Sequence, residues 1–109
     1  MSAESSLVFY GLRFDVAASD IEQLELRKHP WIVKARSAGL HFYWANFGGL
    51  DPRYYFFMGR KIGITGLENS TEVVVNDADL ATQISETKTK LKGAGFDEEP
   101  KLFAQLIPG

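Results

Sequence analysis

The side chains that could support catalysis in this chain are few and scattered. Cysteine is absent, and histidine occurs only at His29 and His41, twelve residues apart, a spacing that matches no transition-metal site. His29 precedes Pro30 and reads as a surface residue at a helix break. His41 sits in a strand, where an imidazole is more often packed or hydrogen-bonded than catalytic. The Gly-x-Ser-x-Gly signature of an activated serine is missing. Carboxylate pairs such as Asp51 with Glu68 can be drawn, but two acids among fourteen carry almost no specificity. No metal and no cofactor are expected, and the balance is against an enzyme.

Two other features have the residue types for binding. Gly59-Arg60-Lys61-Ile62-Gly63-Ile64-Thr65-Gly66 joins glycines to two cations. It fits neither the P-loop nor the dinucleotide fingerprint, because strand-like residues and a turn follow where a helix must open. It reads instead as a hairpin turn at Gly59-Arg60-Lys61 with solvated cations. The second feature is aromatic: of 14 rings, eight (Phe42, Tyr43, Trp44, Phe47, Tyr54, Tyr55, Phe56, Phe57) fall within residues 42–57.

The elements that must carry these residues follow from periodicity. Val8, Tyr10, Leu12, Phe14 and Val16 alternate with Gly11, Arg13 and Asp15, which predicts a strand over 7–16. Ser19 and Glu22 have capping-box spacing, so a helix is expected to start there. His29-Pro30 should break it, with Pro30 at the first position of a second piece that Gly39 closes. Residues 40–47 and 54–60 read as strands joined by the Gly48–Arg53 turn, an antiparallel hairpin. Short strands are expected at 62–65 and at the β-branched run 72–75. Residues 77–92 carry Leu80, Ile84, Thr87 and Leu91 on one face, acids at the start and lysines at the end, which predicts a helix. Residues 101–107 form a last strand.

This order predicts an α+β two-layer sandwich, a ferredoxin-like variant. A mostly antiparallel sheet of 4–6 strands would carry two helices on one face, the first broken at His29-Pro30. At 109 residues with 45% hydrophobic and 24% charged side chains, the chain is expected to form a single domain over 7–109 behind a flexible N-terminus at 1–6. It has neither a membrane-length apolar run nor a secretory leader pattern, and a cytoplasmic location is expected.

A one-sided sheet should bury one face of each strand, yet Leu40, Phe42 and Trp44 oppose Tyr43, Ala45 and Phe47, and Tyr54, Phe56 and Met58 oppose Tyr55 and Phe57. Either something covers the outer face, or rings such as Phe9, Tyr43 and Tyr55 are exposed. The leading expectation is a non-enzymatic protein-interaction or self-association module, with Tyr43, Trp44, Asn46, Arg53, Tyr55 and Arg60 as contacts. The alternative is a small-ligand binder or enzyme with a pocket near 41–53 and 59–66 that uses His41 and Asp51. A third reading is single-stranded nucleic acid. Val8-Phe9-Tyr10-Gly11-Leu12 resembles the first-strand motif of the RRM family, but Arg53-Tyr54-Tyr55-Phe56-Phe57 lacks its glycine-interleaved third-strand motif. A net charge of −2 also weighs against phosphate binding.

Overall fold

The computed structural model describes residues 4–66 and 71–108. The chain is an α+β fold whose elements run β1 (Ser5–Asp15), a 3-10 turn (Ala18–Asp20), α1 (Ile21–Glu25), α2 (Pro30–Ala38), β2 (His41–Asn46), β3 (Tyr54–Gly66), α3 (Asp77–Gly93) and β4 (Lys101–Ile107). The four strands form one open antiparallel sheet in the order β2-β3-β1-β4. The N-terminal segment expected to be flexible falls partly outside the described residues, and β1 begins at Ser5.

Local chemistry explains most helix ends. Pro30 stands at the first position of α2, and Gly39 ends that helix in the left-handed region at φ 70°. Asn76 caps α3 by accepting the Asp79 N–H at 2.8 Å. The first helix departs from expectation. Asp20, not Ser19, organises its start, its Oδ2 accepting the Ala17 N–H at 3.2 Å. The chain then turns out of α1 through Arg27, a non-glycine residue at φ 59°, before proline geometry has any influence.

His29 is not a surface residue. It is only 6% exposed, its Nδ1 accepts the Trp31 N–H at 3.1 Å, and its Nε2 lies 3.1 Å from Asp20 Oδ1. With Nδ1 occupied as an acceptor, Nε2 carries the hydrogen that points at Asp20. One imidazole therefore caps α2 and ties it to the turn before α1. His29→Ala is expected to remove the cap and leave the part-buried Asp20 carboxylate and Trp31 N–H without this partner, costing about 1–2 kcal/mol by urea denaturation.

Two strand expectations are corrected. The short strand at 62–65 is the continuation of β3, which runs without a turn through Gly59, Arg60 and Lys61. Residues 72–75 form no strand. Val73 lies over the sheet instead, so close that a β-carbon on Gly63 would approach its Cγ2 to 2.7 Å.

Each sheet face has its own core. On the helix side, α2 lies over β2 and β3 and α3 over β1 and β3. Between them Leu12, Leu24, Ile32, Ala35, Phe56, Met58 and Leu91 are buried. On the other face Leu7, Phe9, Phe47 and Phe57 form a second buried cluster, flanked by Tyr43, Ala45, Tyr55, Ile64, Phe103 and Ile107.

The sheet itself helps to cover that second cluster. Gly11 and Gly59 are register partners at φ 151° and 152°, and a β-carbon on either would collide with the carbonyl of Met58 or Tyr10. Next to them Ile62 is skipped in the β1–β3 register, a bulge that bends the strand. The loop after β2 folds back over the face, placing the β-carbon position of Gly49 at 3.7 Å from Pro108. Gly49 follows the Asn46 end of the sheet, while Pro108 follows the far end of β4, so the sheet must curl to bring them together.

Candidate functional site

The loop between β2 and β3 is built around Asn46. Its Oδ1 accepts the N–H groups of Gly48 at 3.0 Å and Arg53 at 2.9 Å, and its Nδ2 donates to the Gly49 carbonyl at 3.0 Å. A side chain with three bonds to its own loop positions that loop rather than offering itself to a ligand. The loop in turn seats Phe47 edge-on against Phe57, with ring centroids 5.5 Å apart.

Around this buried pair the rings grade outward into solvent. Tyr43 and Tyr55 are half-buried beside Phe47 at centroid distances of 6.4 and 5.8 Å. Arg13 lies over both Tyr55 at 4.5 Å and Phe103 at 5.0 Å. Its Nη1 donates to Gln105 Oε1 at 3.0 Å, which fixes the guanidinium across β1 and β4. Arg53 is exposed near Tyr55, and Tyr55 first, then Asp51 and Asp15, raise its pKa above the ordinary arginine value.

The six residues expected as contacts do not form one patch. Tyr43 and Tyr55 share the helix-free face, with Asn46 and Arg53 at the loop beside it. Trp44 points to the helix side, where it lines a cavity of about 370 Å³ with Leu24, Glu25, Arg27, Ile32 and Phe42. Arg60 pairs in register with the buried Tyr10 near the middle of the sheet. Its Nε is buried with no hydrogen-bond partner among the described residues.

His41 and Asp51 are not brought to a shared pocket. The cavity beside His41, about 380 Å³, is lined by Leu40, Phe42, Tyr43 and Lys61, with no residue of the 48–53 loop. His41 Nδ1 accepts the Lys61 N–H at 3.0 Å, extending the β2 edge by one bond. Partial desolvation first, then the cations Arg60, Lys61 and Lys90, hold its pKa below the ordinary histidine value. Because the folded pKa lies below the unfolded one, this contribution to stability is present at neutral pH and above. It is lost as pH falls through the unfolded value towards the folded one. Urea denaturation of the wild type and of His41→Gln, at neutral pH and at about pH 5, is expected to show a smaller acid loss in the variant.

No family model, curated protein or solved structure matches the chain. Among the described residues there is no cluster of three or more potential metal-binding side chains and no helix long and apolar enough to cross a membrane. Glu68, the other acid of the weighed carboxylate pair, lies outside the described residues.

Sequence reasoning missed the surface of β4. Arg13 and Phe103 complete the ring cluster on one side of the sheet. On the other side, Leu102 and Leu106 are 55% and 50% exposed. The signal was present in Lys-Leu-Phe-Ala-Gln-Leu-Ile, which is largely apolar at both alternating sets of positions and so cannot bury both against a single layer.

Proposed function

We propose that this chain is a non-enzymatic interaction module, a ferredoxin-like two-layer sandwich that acts through its sheet and associates with copies of itself. The carrying observation is the incomplete cover of that sheet. The helices lie over one side only, leaving Tyr43, Tyr55 and Phe103 half-exposed on the ring face, and on the helix side of β4 Leu102 and Leu106 are exposed as well. Tyrosine and arginine, here Tyr43, Tyr55 and Arg13, are the residue types that dominate interface energetics. The βαββαβ order and the β2-β3-β1-β4 arrangement support the ferredoxin-like description.

Sedimentation velocity from low micromolar to millimolar concentration tests the reading. A concentration-dependent shift from monomer to dimer is expected, and a single monomeric species throughout overturns it.

A further inference from the structure

We propose that the contact is made by β4: two copies pair these edges antiparallel about a two-fold axis at Ala104, joining their four-stranded sheets into one. The inference rests on the self-association reading and names its surface.

Strand order places β4 at the sheet edge, with no described strand on its outer side. Exposed edges are ordinarily blunted by lysine, proline or a bulge. Within β4 the sole charge is Lys101, at the first position, and the pairing with β1 runs without interruption from Lys101 to Ile107. Pro100 and Pro108 bracket the strand and, lacking N–H groups, discourage pairing beyond it. That leaves seven pairing residues centred on Ala104.

The side chains are self-complementary about that centre. Leu102, Ala104 and Leu106 share the face of Tyr10 and Val8 by register, so the two-fold sets Leu102 against Leu106 of the second copy and Ala104 against itself. Opposed β-carbons in such a pair stand about 4.5–5.5 Å apart, a gap that alanine fits on the axis. On the other face Phe103 meets Gln105 of the second copy, continuing the Arg13 cluster across the junction. Pairing β4 with β2 instead would be head-to-tail and would generate open chains of molecules, whereas β4 with β4 closes at two.

Because the chain has no cysteine, Ala104→Cys reports the axis directly. Opposed Cα atoms in an antiparallel pair, about 4.5–5.5 Å apart, fall within the disulfide range of about 4.4–6.8 Å. Ala104→Cys is expected to give a covalent dimer under mild oxidation, while Ala81→Cys, exposed on α3, stays monomeric. The double variant Leu102→Lys/Leu106→Lys, at two exposed sites, is expected to keep the wild-type circular dichroism spectrum and raise the dimer Kd at least about tenfold. Equal cross-linking at positions 104 and 81 overturns the edge pairing, as does a Kd unchanged in the double lysine variant. A dimer lost on Tyr43→Ser/Tyr55→Ser but kept in the lysine variant moves the interface to the ring face and leaves self-association standing. A wild type that is monomeric at every concentration removes both.

Discussion

Gly59→Ala is expected to destabilise the fold by at least about 3 kcal/mol, because the new β-carbon must enter space held by the Tyr10 carbonyl at a φ that only glycine adopts freely. The obstacle is backbone, so no side-chain rotation relieves it. Strand β1 would have to move away from β3 at the centre of the sheet. Gly93→Ala is the matching control. Gly93 lies within α3 with nothing within 4 Å of its β-carbon position, so alanine there is expected to stabilise by about 0.5–1 kcal/mol. Urea denaturation of the two variants should give shifts of opposite sign. Equal shifts would show that the close backbone approach at Gly11 and Gly59 is not a structural requirement.

Phe57→Ala is expected to cost about 3–5 kcal/mol. The ring is fully buried and touches Phe9, Phe47 and Phe103 at centroid distances of 5.5, 5.5 and 5.4 Å. Its removal therefore opens a space bordered by three large side chains that cannot all collapse into it. Since a domain of this size has only about 5–15 kcal/mol of stability in total, the variant is expected to approach the unfolding threshold at 25 °C. Urea denaturation with tyrosine and tryptophan emission as the readout measures the loss. A cost below about 1 kcal/mol would mean that the second face is not a true core. The loop should respond as well, because Phe47 holds the 48–53 segment down through the same contact.

Features governed by short-range rules were legible in the sequence. The bounds of α3 and β4, proline at the start of α2 and glycine at its end depend on caps, dipoles and periodicity, which neighbouring residues decide. The two-sided apolar pattern of β2 and β3 was legible too, and it corresponds to two buried clusters. What covers the second cluster was not, because the answer lies in a glycine pair 48 residues apart in the chain and in a loop that reaches Pro108. Gly59-Arg60-Lys61 has turn composition, yet its glycine is required by the backbone of another strand. Glu72–Val75 has strand propensity, but Val73 is used as a lid on Gly63. His29 followed the same logic: its partner Asp20 is nine residues away across an irregular turn, where no periodicity operates. Of the expected contacts, Tyr43 and Tyr55 fell on the ring face, whereas Trp44 and Arg60 were separated from them by alternation along their own strands.

Strand β1 lies inside the sheet, and one of its two edges is completed by β4, with Ser5 beside Ile107 and Gly11 beside Lys101. During synthesis residues 101–107 leave the ribosome long after β1, β2 and β3 have been released. Throughout that interval the apolar β1 exposes an unpaired edge, the kind of surface that nascent chains tend to bury against one another. Closing the sheet is therefore a late, long-range event, and folding should be slow relative to a helical chain of equal size. The ribosome-bound chain is therefore a vulnerable species in the cell.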